Sequence, residues 1–143
     1  MGQPMTEDQA RNFMMAARHT GKLATVRSDG RPHIAAVWFS FDDRGRAVFL
    51  TGAETLKARN MQRDPRVSLL VDTEEMPFGW ARLDGTAGFS NDPAELVHWA
   101  TETARRYVGD DRAEEFGSRN GVPGEIVVFI EPTNLTGVLG ITD

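Results

Sequence analysis

The sequence predicts a mainly β fold with flanking helices, an α+β protein built on a mostly antiparallel barrel. Three observations predict it. Short segments of period-two hydrophobicity follow one another closely, turn signals separate them, and one small and two larger helical patterns are set among and around them.

Thr6 with Gln9 three residues on forms a capping box, and Phe13, Met14 and Ala17 recur at helical spacing until Gly21 supplies a stop. From Leu23 the period changes to two. Leu23 and Thr25, a turn at Ser28-Asp29-Gly30, and Ile34 to Phe41 predict two strands joined by a hairpin. After a turn at Asp42 to Gly45, Ala47 to Thr51 predicts a third strand. Thr55 then caps a helix that ends before Asp64-Pro65, because proline disfavours helical geometry in the residue preceding it. Val67 to Val71 is the fourth strand. Beyond a loop holding Met76-Pro77-Phe78-Gly79, Trp80 to Phe89 is the fifth, with a bulge or bend at Asp84-Gly85. Asp92-Pro93-Ala94-Glu95 opens a longer helix with the stripe Leu96, Trp99, Ala100, Thr103 and Tyr107. Gly109 to Gly124 is polar with a short helix at Arg112 to Phe116, and Glu125 to Ile130 is a β-branched sixth strand.

At 143 residues, with 40% hydrophobic and 26% charged residues, the chain fits one domain over 1–143, and no repeat or linker divides it. It contains no cysteine, which excludes disulfides, thiol nucleophiles, thiolate zinc sites and iron–sulfur clusters, and which fits a reducing compartment. The cytoplasm is expected. No apolar run approaches the roughly 18 residues of a membrane span, and Glu7 and Asp8 ahead of Phe13 break the order of a signal peptide. A soluble, unprocessed protein is expected, with no membrane partner. A net charge of -5 disfavours nucleic acid as a partner, since backbone binding needs clustered cations.

The usual catalytic motifs are missing. His19, His33 and His98 stand singly without metal-ligand spacing, and no metal site is expected. There is no G-x-S-x-G, Walker or G-x-G-x-x-G sequence. The paired carboxylates Asp42-Asp43, Glu74-Glu75, Asp110-Asp111 and Glu114-Glu115 fall in turns or polar helices, where solvation explains them.

Two segments carry more information. Between Thr51 and Arg66 a strand end, a turn and a helix N-terminus follow in succession, an arrangement suited to a phosphate. Lys57 sits in the first helical turn, where it opposes the helix dipole by roughly 0.3–1 kcal/mol unless an anion lies beside it. It is one of only two lysines; a solvated helix lysine is the competing explanation. Asn60 follows on the same side, whereas Arg59 and Arg63 line another stripe and are either a second anion contact or simply solvated. In the other segment, alternation sends Val37, Phe39 and Phe41 to the barrel interior and Ile34, Ala36 and Trp38 outward. The small Ala35 and Ala36 beside Trp38 let a flat ring lie close to the strand; a subunit interface explains the same apolar outer face.

In order, Ala24-Thr-Val-Arg-Ser-Asp-Gly30-Arg31-Pro32-His33, Val48-Phe-Leu-Thr51, Thr-Leu-Lys57-Ala-Arg59-Asn60, Asp64-Pro65-Arg66-Val and Ala81-Arg82-Leu-Asp84-Gly85 form a recognisable set. Together they resemble the pyridoxamine 5'-phosphate oxidase-like split β-barrel family, and within it the B group of deazaflavin (coenzyme F420)-dependent oxidoreductases. The resemblance implies an FMN-binding-like split barrel of six or seven antiparallel strands and a homodimer with cofactor sites at the interface. It assigns Lys57 to the cofactor phosphate with Thr51 and Asn60 beside it, Ile34, Ala35, Ala36, Val37 and Trp38 to the ring, and Trp80 and Arg82 to a strand brought by the partner subunit.

Flavin-phosphate oxidases of this family tend to carry Arg-Lys where this chain has Leu56-Lys57. One missing cation favours F420, whose phosphate is a diester with one charge fewer, over FMN. Arg31, Arg59 or Arg63 could replace it, or could serve the oligoglutamate tail of F420. The resemblance thus implies hydride transfer between F420 and a small conjugated or aromatic acceptor, with the chemistry on the cofactor and no catalytic side chain. His33, Arg82 or water would donate the proton, and the loops Thr73 to Gly79 and Gly109 to Gly124 would shape the acceptor site. An FMN-dependent oxidase or reductase and a non-catalytic F420- or flavin-binding protein are the alternatives.

Overall fold

The structure, a computed structural model, describes residues 2–142. A short strand β1 (Gln3–Pro4) precedes helix α1 (Glu7–Met15), the hairpin β2 (Gly21–Val26) and β3 (Pro32–Val37), and then β4 (Ser40–Phe41) and β5 (Ala47–Gly52). Helix α2 (Leu56–Arg63) leads into β6 (Arg66–Asp72) and β7 (Gly79–Ser90); α3 (Pro93–Val108) and α4 (Asp110–Asn120) follow, and β8 (Glu125–Leu139) ends the fold. The strands form one antiparallel sheet in the order β3-β2-β6-β7-β8-β5-β4, with β1 on the edge of β8, curled around Phe39, Phe49, Leu69, Leu83 and Ile130. Among the described residues no helix is long and apolar enough to cross a membrane.

Local signals set the element starts. At α1 the Thr6 hydroxyl accepts from Gln9 N, while Thr6 N donates to Gln9 Oε1 at 2.9 Å; at α3 the Asp92 carboxylate accepts from Glu95 N and proline follows at the first position. Where the structure departs from expectation, distant contacts decide. Helix α1 stops at Met15, well ahead of Gly21, with Ala17 in the left-handed region at φ 54°. Arg106 of α3 reaches this unwound stretch and donates Nη2 to Met14 O at 2.9 Å and Nε to Ala17 O at 3.4 Å. A tertiary cation thereby takes the carbonyls that the helix end leaves open.

The single strand expected over Ile34 to Phe41 is broken after Val37. Arg106 Nη1 donates to Phe39 O at 2.6 Å and the Tyr107 hydroxyl accepts from Phe39 N at 3.3 Å, so side chains of α3 bind the backbone there. The alternation survives the break, because Val37 and Phe39 are buried while Ile34 is 67% and Trp38 41% exposed. The expected short helix at Arg112 to Phe116 extends from Asp110 to Asn120, and the sixth strand runs past Ile130 to Leu139.

The long β7–β8 pairing is possible because its register shifts between Asp84 and Gly85. A Cβ on Gly85 would stand 2.3 Å from Glu131 O and 2.7 Å from Ile130 Cγ2. Gly85→Ala is therefore expected to lower stability by about 2 kcal/mol through overpacking against a backbone that cannot yield. Urea unfolding checks this, and an unchanged midpoint contradicts it.

Candidate functional site

The end of β5, the turn after it and the start of α2 build the positive corner of the site. Thr55 caps α2: its hydroxyl accepts from Ala58 N at 3.3 Å, donates to Gly52 O at 2.8 Å and lies 3.0 Å from the Thr51 hydroxyl. Thr51 is thereby buried in the capping arrangement. Lys57, the second residue of α2, is half-buried, and α2 has no acidic residue in its first turn, unlike the other three helices. The chain's other lysine, Lys22, pairs with Asp72 at 3.4 Å, whereas Lys57 forms no ion pair among the described residues.

Lys57 faces a cavity of about 230 Å³. Ala36, Val37 and Trp38 at the end of β3 form one wall, and Leu50 of β5 adds an apolar contact. Ala100, Thr103 and Ala104 of α3, with Asn120 and Glu125, complete the lining. The Glu125 carboxylate lies near Gly52, where a Cβ would be 3.2 Å from its Oε2. Trp38 is held by Tyr107: the rings stack at 4.9 Å with 7° between planes, and the Tyr107 hydroxyl donates to His19 O at 2.9 Å. Burial pushes the Tyr107 phenol above its ordinary pKa, which keeps that proton in place. Thr103 is only 6% exposed, and its hydroxyl has no hydrogen-bond partner among the described residues. Such an unsatisfied group costs about 1–3 kcal/mol in the empty protein.

Of the residues singled out in the sequence, the cavity brings Ala36, Val37, Trp38 and Lys57 together. Ile34 and Ala35 continue the same strand away from it, Ile34 outward and Ala35 half-buried. Asn60 does not join Lys57. It is 1% exposed, its Nδ2 donates to Thr25 Oγ1 at 3.0 Å, and its Oδ1 accepts from Arg63 at 3.3 Å, so its amide braces α2 against β2. Arg59 is exposed outside the cavity wall, Arg63 donates to Val26 O, and Arg31 pairs with Asp29 at 2.8 Å in the hairpin turn. Trp80 and Arg82 lie on β7, three strands from β3, roughly 14 Å across the sheet. His33 lies farther back along β3 and its Nδ1 is buried without a partner among the described residues.

The sequence reading missed the helical wall. Ala100 and Thr103 belong to an amphipathic stripe, and a threonine in an otherwise apolar and small-residue stripe is the one sign that the stripe borders something polar. Asn120 belongs to the polar stretch expected to shape the acceptor site; no residue of the Thr73 to Gly79 loop lines this cavity.

Arg82 has a partner of its own. Its Nε lies 3.1 Å from Asp84, which also accepts from Ser68 at 2.6 Å and Asn134 at 3.5 Å, joining β6, β7 and β8. Burial raises the Asp84 pKa, but these hydrogen bonds and the Arg82 charge outweigh it and leave the carboxyl below its ordinary value. A lowered folded pKa gives stability that is present above the unfolded value near 3.9 and is lost as pH falls through the folded one. Asp84→Asn is expected to flatten this acid limb in melting temperatures measured from pH 5 to 2; an identical limb contradicts the assignment.

A sequence profile of the pyridoxamine 5'-phosphate oxidase family matches residues 6–136. The chain belongs to this family. Its curled antiparallel sheet is the split β-barrel of the pyridoxamine 5'-phosphate oxidases. The chain is 34% identical over 104 residues to a pyridoxine/pyridoxamine 5'-phosphate oxidase of Rubrobacter xylanophilus, covering 72% of this chain and 45% of that relative. It thus spans less than half of that protein. It is 32% identical over 101 residues to an F420H(2)-dependent biliverdin reductase of Mycobacterium tuberculosis, covering 70% of this chain and 71% of the other. A crystal structure of a conserved hypothetical protein from Mycobacterium tuberculosis superposes with a TM-score of 0.82 at 27% identity, covering 96% of this chain and 86% of that one.

Proposed function

We propose that this family member is an F420-dependent oxidoreductase that transfers a hydride between the deazaflavin and a small conjugated or aromatic acceptor. The observation that carries this is Lys57 at a helix N-terminus, without an ion pair among the described residues, lining one cavity with Ala36, Val37 and Trp38. The residues present fit such a cofactor: Lys57, without an ion pair among the described residues, for its phosphate, and small side chains at Ala36 and Ala100. At about 230 Å³ the cavity falls below the usual 300–1,000 Å³ of complete ligand sites. It suits the phosphate and its tether, with the ring extending over the exposed face of β3.

Charge favours F420 over FMN. Lys57 is the one cation lining the cavity, with the Glu125 carboxylate in the same lining, while Arg59, Arg63 and Arg31 are absent from its wall. A phosphate diester with one negative charge meets that balance better than a dianionic monoester. The biliverdin reductase, named for F420H(2), supports the same choice.

When bound, the deazaflavin would supply the hydride chemistry. The chain's residues do the rest: Lys57 anchors the phosphate, Trp38, fixed by Tyr107, bounds the ring's position, and α3 excludes water from the tether. Trp80 and Arg82 are too far across the sheet to serve their own chain's cavity, so this reading places them in a homodimer, where β7 of a second copy completes the site. The exposed Ile34 and Trp38 beside the open edge of β3 suit that contact. A cytoplasmic setting goes with the absence of cysteine.

Paired calorimetric titration with F420 and FMN tests the proposal. F420 is expected to bind at least tenfold tighter, and the loaded protein to oxidise reduced F420 with one member of an acceptor panel. Tighter binding of FMN rejects the cofactor choice, and tight binding of F420 without turnover makes the protein a carrier.

A further inference from the structure

We infer that Glu125 is a specificity-determining residue, whose carboxylate limits how much negative charge the Lys57 cavity accepts. This rests on the proposed function only for the placement of phosphate at Lys57.

Two opposite charges share the cavity without pairing. Lys57 and Glu125 are the only charged residues in its lining, and neither forms an ion pair among the described residues. Elsewhere in the chain such neighbours close up, to 2.7 Å at Arg46–Asp42 and 3.7 Å at Arg105–Glu102. The backbone around Glu125 is fixed. It is the first residue of β8 and stands directly opposite Gly52, the last of β5, while Ala53 N donates to Gly124 O at 2.8 Å beside that pair. The side chain then lies over Gly52, where a Cβ would be 3.2 Å from Glu125 Oε2 and 3.3 Å from Thr55 Cγ2. Gly52 is not among the glycines with positive φ, so its missing side chain provides space, and the carboxylate takes up that space.

A negative charge is thereby held beside Thr55, the cap of the helix that carries Lys57. A phosphate drawn to the ammonium meets this carboxylate as well. Lys57 offsets one negative charge; a second finds no further cation in the lining and adds to the repulsion from Glu125. The carboxylate therefore lowers affinity for every phosphate, and most for a dianion, which is discrimination obtained through an unfavourable contact.

The test uses FMN and the methyl ester of its phosphate, which share ring and tether and differ by one charge at about pH 8. Each is titrated into the full chain by flavin fluorescence. Wild type is expected to bind the methyl ester about fivefold tighter than FMN. Glu125→Gln brings the two within about twofold by tightening FMN, and Lys57→Ala weakens both. Added potassium chloride narrows the wild-type preference and leaves Glu125→Gln unmoved, a response that a purely structural glutamate does not produce. Overturning results are equal affinities in wild type, a preference that survives Glu125→Gln or resists salt, a Glu125→Gln variant that weakens both flavins alike, unchanged affinities in Lys57→Ala, or no saturable binding of either flavin. Binding of F420 to wild type is measured separately and bears only on the cofactor. Failure of F420 with the charge preference intact sinks that reading and leaves this one standing.

Discussion

Arg106→Ala is expected to lower stability by about 3 kcal/mol and the melting temperature by roughly 10 °C. Arg106 has no carboxylate partner among the described residues; its guanidinium instead donates to the carbonyls of Phe39 at 2.6 Å, Met14 at 2.9 Å, and His19 and Ala17 at 3.4 Å. Burial pulls its pKa below the ordinary arginine value, a penalty on the charge that these carbonyl dipoles and the Phe39 and Tyr107 rings, at 4.6 and 4.8 Å, compensate. Truncation leaves the end of α1 and the break between β3 and β4 with open carbonyls at once. Two charge-assisted bonds near 1.5 kcal/mol each account for the expected loss. Because Phe39 adjoins Trp38, the same variant is expected to loosen the Trp38–Tyr107 stack and shift tryptophan emission to the red. Arg106→Met separates the effects: it keeps the packing against Phe39 and should recover part of the stability but not the ordering of Trp38. A variant as stable as wild type contradicts the bridging role.

Lys57→Ala is expected to weaken cofactor binding at least tenfold, about 1.4 kcal/mol, while the ligand-free protein melts at the wild-type temperature or slightly above it. Both halves follow from the same geometry. The ammonium has no ion pair to lose among the described residues, and it opposes the α2 dipole by roughly 0.3–1 kcal/mol when no anion is present. Affinity and stability should therefore move apart, which a merely structural lysine does not produce. Calorimetry on both proteins reads the first and thermal denaturation the second. Unchanged affinity returns Lys57 to a solvated helix lysine.

What was legible in the sequence was local. The capping box at Thr6, the cap at Asp92, the hairpin turn before Gly30 and the bulge at Asp84-Gly85 depend on residues within a few positions, and each stands where spacing placed it. Lys57 was legible for the same reason, as a cation in the wrong turn of a helix. The features that escaped are made across the chain. The break after Val37 comes from Arg106 and Tyr107, 67 and 68 residues away from Phe39. Asn60 shares a side with Lys57 on a helical wheel, yet its partner is Thr25, 35 residues earlier, which turns the amide into the barrel. The extension of β8 beyond Pro132 requires the irregular register of β7 opposite it. The wall of α3 could be recognised only once that helix was seen to lie against β5 and β8, and the pattern that builds it is indistinguishable in sequence from an ordinary buried stripe.

The most direct test of the central claim is a crystal structure of the protein grown with F420. A phosphate oxygen is predicted about 2.8 Å from Lys57 Nζ, with the deazaflavin ring over Ala36 and Trp38. A cofactor seated elsewhere, for instance in the groove between Arg66 and Asp84, with Lys57 left facing solvent, would contradict the account.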